Sequence, residues 1–461
     1  MTRTLAFLGM VSVVLAQAPP PPPPPGGATA CPGAVSTTRP ITEAFNVTYT
    51  AIDAASPNDG YGEAVAAGDF NGDGYSDIVV GARGDAKAYV YYGSPAGIPT
   101  TPSLVLTGEG QGGEYGRNAT AGDINGDGFI DVIIGAHGFN NHQGKVYVYL
   151  GGPNGLSPTP AYTLTGEIAN SEFGRALAVA DMTGDGVGDL IVGASGFSGD
   201  LRDQGKVYVF QGGPTTLNST PIFTMLGENA NDEFGRSADG ADLNGDGFRD
   251  LIVGAPGSTQ AGATANTPGS MYIFNGSAAG ISTTPSFKAK GELINSHLGE
   301  ALAAVGDVNG DGYPDVAIGA RDFNCGAGPA GKVYVYLGGP DGLSADRMWT
   351  AVGSGKGGLG RAMAAAGDLN GDGYADFLAG APGGGPDIGS VYVFFGGAAG
   401  FTGDPIVISA EAAGAGFGFG IFGAGDTNGD GALDIVAGAP AGTGNLPGRA
   451  RVYYGAAVLK P

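Results

Sequence analysis

Asp69-Phe70-Asn71-Gly72-Asp73-Gly74-Tyr75-Ser76-Asp77 is the first of seven versions of one nonapeptide, D-x-N-G-D-G-x-x-D. Further copies start at Asp123, Asp242, Asp307, Asp368 and Asp426, and a variant at Asp181 carries Thr183 in place of the asparagine. Successive starts lie 54 to 65 residues apart. A fixed long period marks a repeat architecture, and this one suits a four-stranded sheet with its turns.

The residues between the nonapeptides carry four strand signals per repeat. In the second repeat, Tyr115-Gly116 opens a small-residue strand running to Gly122, just before the acidic loop. Asp131-Val132-Ile133-Ile134-Gly135-Ala136 follows as an apolar strand of the kind covered on both faces. Lys145-Val146-Tyr147-Val148-Tyr149-Leu150 is rich in aromatic and β-branched residues, and Ala161-Tyr162-Thr163-Leu164-Thr165 forms the fourth strand. First strands such as 360–367 are built of Ala and Gly, as strands crowded around an axis require. A fourth-strand signal at 45–50 precedes the first repeat, while the last repeat ends after Arg451-Val452-Tyr453-Tyr454. The pattern predicts an all-β, seven-bladed β-propeller of four-stranded blades, its ring closed by the N-terminal strand, which removes a free sheet edge.

The nonapeptide places oxygen donors at alternating positions, as a hard cation taking six to eight oxygens requires. In the first loop Asp69, Asn71, Asp73 and Asp77 offer side-chain oxygens and Tyr75 its carbonyl. The matching donors are Asp123, Asn125, Asp127, Phe129 and Asp131 in the second loop, and Asp181, Thr183, Asp185, Val187 and Asp189 in the third. The fourth and fifth loops supply Asp242, Asn244, Asp246, Phe248 and Asp250, then Asp307, Asn309, Asp311, Tyr313 and Asp315. The sixth and seventh supply Asp368, Asn370, Asp372, Tyr374 and Asp376, then Asp426, Asn428, Asp430, Ala432 and Asp434. Up to seven Ca²⁺, one per blade, are expected. They would bring the formal charge from −23 to about −9 and relieve repulsion among the clustered carboxylates. An EF-hand is excluded because its twelfth position, a bidentate Glu, is apolar here (Val80, Ile134, Val253) and strands flank the loop. Magnesium is disfavoured, since so many protein oxygens at flexible spacing suit a larger ion.

A charge of −23 and a pI near 4.2 argue against nucleic acid or an anionic membrane as partner. Residues 1–16 read as a signal peptide, with Arg3, an apolar run over 5–15 and a small-residue cleavage site at Val14-Leu15-Ala16. That run is shorter than a membrane span. A Pro-rich linker over 17–40 includes seven consecutive prolines, a stiff spacer, and the propeller occupies 41–461. A secreted or cell-surface monomer is expected. Of the two cysteines, Cys31 and Cys325, an exported chain could pair both or leave two independent thiols.

The repeats resemble the FG-GAP repeats of integrin α-subunit propellers and their bacterial relatives. Phe-Gly or a variant stands at Tyr61-Gly62, Tyr115-Gly116, Phe173-Gly174, Phe234-Gly235, Leu298-Gly299, Leu359-Gly360 and Phe417-Gly418. Gly-Ala-Pro or a variant stands at Gly81-Ala82-Arg83, Gly254-Ala255-Pro256, Gly380-Ala381-Pro382 and Gly438-Ala439-Pro440, among others. The resemblance covers residues 41–454. It implies calcium loops on one face and ligand binding on the other, by the loops joining second to third strands and fourth strands to the next blade. It implies a binding or adhesion module for an extracellular protein. A glycan-binding, lectin-like propeller is the alternative, opposed by tyrosines that fall in buried third strands. Integrin propellers carry the metal loop in only some blades, whereas all seven have it here. No inserted domain, leg domain or membrane span is expected, and integrin-type heterodimerisation is not expected to carry over. With three histidines, no nucleophile motif and no cofactor fingerprint, an enzyme is not expected.

Other features are weaker. Arg83-Gly84-Asp85 spells an adhesion tripeptide, but Arg83 merely fills the variable third place of Gly-Ala-Pro. His137 and His142 share one loop without a third metal ligand, and Trp349 reads as packing in an outer strand. Sequons stand at Asn46, Asn118, Asn218 and Asn275. The loops 256–270 and 321–332 are the longest on the expected ligand face.

Overall fold

A computed structural model describes residues 34–35, 44–57, 59–110, 112–214, 217–257, 267–326, 328–344, 346, 349–353, 357–383, 389–401, 404–410, 416–440 and 447–456. The signal segment, nearly all of the Pro-rich linker, Cys31 and the middle of the 256–270 loop lie outside them. Among the described residues the strands form seven four-stranded antiparallel sheets. Six take their strands in chain order, beginning with Tyr61–Gly68, Asp77–Ala82, Lys87–Tyr91 and Leu104–Thr107 in blade 1. The seventh holds Ile421–Gly425, Asp434–Ala439 and Pro447–Gly455, with Phe45–Pro57 as its outer strand. Thr50 faces Val452 and Ile52 faces Ala450 in that pairing. The closure read from sequence is therefore present, and the closing strand is longer than the 45–50 signal.

The second strand of every blade is buried at all six positions, because adjacent blades cover both of its faces. The core accordingly lies between blades. Val79 and Val90 of blade 1 pack with Val132, Ile134 and Tyr149 of blade 2, and the other interfaces repeat the scheme. Outer strands alternate between exposed and buried, as in Leu104–Thr107. In the five Phe-Gly pairs that begin with an aromatic residue, the ring stands against a third-strand tyrosine of its own blade, as Tyr115 on Tyr147 at 5.1 Å and Phe234 on Tyr272 at 5.4 Å between centroids. These tyrosines are consumed by packing. The inner strand of blade 2 starts at Asn118 rather than Tyr115.

The acidic loops all lie at one end of the strands. In blade 1 the first ladder runs from Tyr61 opposite Ala82 to Gly68 opposite Asp77, and the loop 69–76 joins the latter end. Neighbouring loops are then stitched together. The N–H of Ile130 donates to the Asp69 carbonyl at 3.1 Å, Gly188 to Asp123 at 3.0 Å and Ala375 to Asp307 at 3.0 Å. Ser76 donates to Asp426 at 2.9 Å, which joins the last blade to the first. Cys325 is held in a disulfide; Cys31, the only other cysteine of the chain, is outside the described residues.

Candidate metal loops and the ring at the channel mouth

Within each acidic loop the first carboxylate organises the turn. Asp69 Oδ1 accepts the N–H of Gly72 at 2.7 Å and of Asp73 at 3.2 Å, and Oδ2 accepts that of Gly74 at 2.9 Å. Gly72 and Gly74 sit at φ +73° and +89°, which a β-carbon disfavours. Asn71 Oδ1 accepts the Asp73 N–H at 2.9 Å, and Asp73 Oδ1 accepts the Tyr75 N–H at 3.0 Å. The pattern recurs at Asp123, Asp181, Asp307, Asp368 and Asp426, each accepting from the two glycines that follow it. In the variant loop Thr183 departs from it: its Oγ1 is buried with no hydrogen-bond partner, while its N–H donates to Asp189 at 2.9 Å.

The ninth residue behaves differently from the other donors. Asp77 is fully buried, with Oδ2 accepting the Phe70 N–H and Oδ1 the Gly93 N–H, both at 2.8 Å. Asp131 does the same with Ile124 and Gly151, and Asp315 with Val308 and Gly338. Each of these carboxylates clamps its loop to the second residue after the third strand. Burial pushes Asp77 up to about 7, and the negative charges of Asp73 and Asp69 add to the rise.

The donor set fits a calcium ion in kind and number: three carboxylates, an amide oxygen and a carbonyl in nine residues. Each carboxylate oxygen has two lone pairs, so one bond to a backbone amide leaves an acceptor site on it. The side chains nevertheless turn onto the loop's own amides, and among the described residues no three acidic, histidine or cysteine side chains converge as a metal-binding group.

The opposite end of the strands carries a second constellation that the sequence reading did not single out. The residue after each Phe-Gly pair points to the central axis, giving in blade order Glu63, Arg117, Arg175, Arg236, Glu300, Arg361 and Phe419. They line the mouth of an axial cavity of about 640 Å³, whose wall is otherwise largely alanine. Glu300, with a side chain 0% exposed, meets Arg236 at 2.6 Å, Arg321 at 3.2 Å and Arg361 at 3.6 Å. These three cations hold its carboxyl well below the usual range although burial opposes them. Glu63 pairs with Arg83 and, at 3.1 Å, with Arg117. Arg361 also stacks 4.4 Å from the Phe419 ring centroid. The signal was present in the chain as a charged residue at one fixed place after Phe-Gly.

The weaker sequence features find places here. Arg83 of the Arg-Gly-Asp tripeptide reaches back to Glu63 and Glu114 rather than standing free. His137 is buried with Nε2 2.6 Å from Glu114, whereas His142 is exposed in a short turn. Asn118 lines the axial cavity and its amide donates to the Arg175 carbonyl, so this sequon faces inward. Trp349 packs on Phe394 and Phe401. In the loop 321–332, Asp322 bonds His297 at 2.7 Å and Arg321 at 3.0 Å.

Comparison with known proteins agrees with this architecture. Residues 234–267, 298–336 and 359–394 match the FG-GAP repeat, and 69–134 and 123–192 match the FG-GAP-like repeat. Integrin alpha-5 of Xenopus laevis is 35% identical over 218 residues, covering 45% of this chain and 20% of the relative. Integrin alpha-PS2 of Drosophila melanogaster is 33% identical over 219 residues, covering 44% and 15%. Integrin alpha-4 of Xenopus laevis is 32% identical over 254 residues, covering 53% and 23%. The chain thus spans about a fifth of the length of these curated relatives. Among the described residues no helix is long and apolar enough to cross a membrane.

Proposed function

The chain is an FG-GAP repeat protein related to the integrin α subunits, and from that premise we propose that it is a secreted, calcium-binding module that binds an extracellular protein. Support comes first from the unequal faces of the ring. One face consists of seven acidic loops, joined to one another through their backbones at four of the seven junctions. The other carries the loops that vary in length and charge, a rigid scaffold's usual place for recognition. The related proteins are integrin subunits by name, which favours adhesion over catalysis.

In this reading the first, third, fifth and ninth residues of each loop, with the seventh carbonyl, hold Ca²⁺. The bound ion supplies positive charge that offsets the crowded carboxylates. The residues themselves fold the loop and clamp it to the third strand, so calcium is a structural staple distant from the ligand face. The observation that carries the proposal is the sevenfold recurrence of one oxygen-rich loop in register on one face.

The test is a paired screen of extracellular-protein and glycan arrays with purified protein, with calcium and with chelator. The expected result is a protein ligand bound in calcium, lost in chelator and weakened by substitutions in the 321–332 loop. No protein ligand in either condition, or a response confined to glycans, contradicts it.

A further inference from the structure

Three arginines of the channel ring stand on consecutive blades, and only the outer two hold a carboxylate within 3.1 Å. Arg117 Nε lies 3.1 Å from Glu63 and its Nη1 3.0 Å from Glu114. Arg236 Nη2 lies 2.6 Å from Glu300. Arg175, between them, donates no side-chain hydrogen bond among the described residues. Its one ion pair there is with Glu172 at 4.0 Å, through an oxygen that already accepts the Ser195 hydroxyl at 2.9 Å. Yet its side chain is only 10% exposed and lines the axial cavity. A guanidinium has five N–H donors in a planar fork, and none of those of Arg175 is both fully buried and without a partner, so its free donors open onto the cavity.

We propose that the mouth of the central channel is a binding site for a small oxyanion, a carboxylate or phosphate group, with Arg175 as its principal donor and Arg117 and Arg236 flanking it. Arginine forks match both groups in bidentate geometry. The ring carries four arginines and two glutamates, and Asp239 lines the cavity with them, so the lining keeps one net positive charge in a chain of net charge −23. Burial and the charges of Arg236 and Arg117 disfavour the charged form of Arg175, and an entering anion relieves that repulsion. At about 640 Å³ the cavity is of the size that small-molecule sites occupy, and its alanine wall leaves room for a short carbon skeleton. This site is independent of the acidic loops and of any calcium in them.

The experiment is isothermal titration of the full chain with succinate and, separately, with inorganic phosphate, at one fixed ionic strength so that screening is constant. Wild type, Arg175→Gln and Arg175→Lys are compared. Saturable binding of either probe is expected, weakened about tenfold or more in Arg175→Gln and less in Arg175→Lys, which keeps the charge and loses the fork. Which probe binds identifies the oxyanion class. Without probe, Arg175→Gln is expected to melt no lower than wild type, because a cation whose nearest carboxylate is 4.0 Å away and which Arg236 and Arg117 repel has been removed; a merely structural arginine would give the reverse. If Arg175→Gln does not fold, Arg175→Lys carries the affinity comparison. Absence of saturable binding to wild type, or unchanged affinity in the variants, overturns the proposal.

Discussion

Gly438 of the last blade lies against the carbonyl of Gly62 in the first, so closely that a β-carbon on Gly438 would collide with that oxygen. The two residues belong to the Gly-Ala-Pro and Phe-Gly motifs, and the same apposition joins Gly81 to Gly116, Gly193 to Gly235 and Gly319 to Gly360. The two halves of the repeat thus meet across every blade interface. Gly193→Ala is expected to lower the unfolding free energy by about 3 kcal/mol or more, since only separation of blades 3 and 4 makes room. Gly152→Ala, where an added β-carbon meets nothing within 4 Å, stays within about 0.5 kcal/mol. Urea melts of both variants check the contrast.

The clamp made by the ninth loop residue predicts a second contrast. Asp131→Ala strands the buried N–H of Ile124 and the part-buried N–H of Gly151 and is expected to cost about 2–4 kcal/mol even in chelator. Asp127→Ala, in an exposed part of the same loop, is expected to cost more in calcium than in chelator. Denaturant midpoints with and without calcium separate the two roles.

Closure of the ring rests on Phe45–Pro57. Ile52 is 1% exposed between the last blade and the first, so Ile52→Ala is expected to cost about 2–4 kcal/mol. Loosening this strand frees the edge of Pro447–Gly455 for pairing with another chain. Size-exclusion with light scattering after mild heating is expected to show oligomers for the variant before the wild type.

Acidification provides a further check at the channel mouth. Burial lowers His137 from 6.5 to about 4, so the unfolded chain takes up the proton first. Stability is therefore lost as pH falls from about 6.5 towards 4. Glu114, held down at about 2 chiefly by its bond to His137, contributes stability above about 4.5 that disappears as pH falls towards 2. His137→Gln keeps a donor to Glu114 without the titration. Its loss of stability between pH 7 and pH 5, read from urea midpoints, is expected to be smaller than that of wild type.

The fold was legible because the nonapeptide at Asp69 recurs at blade-length intervals and each strand type has its own composition. The closing strand was legible as an unpaired signal near Phe45. What stayed hidden involves partners distant in sequence. Asp77 reads as one more oxygen donor, and its clamp to Gly93 emerges only when the third strand folds back beside the loop. Arg117, Arg175 and Arg236 are lone charges in alanine-rich strands 58 and 61 residues apart until the blades circle an axis. The same closure turns the Asn118 sequon into part of a channel wall.

The central claim, that the acidic loops are structural calcium sites, is tested most directly by calorimetric melting of one preparation in excess chelator and again after calcium is restored. The account predicts a melting temperature markedly lower in chelator, recovered in full with calcium and not with magnesium at equal concentration. Superimposable melts under the three conditions would contradict it.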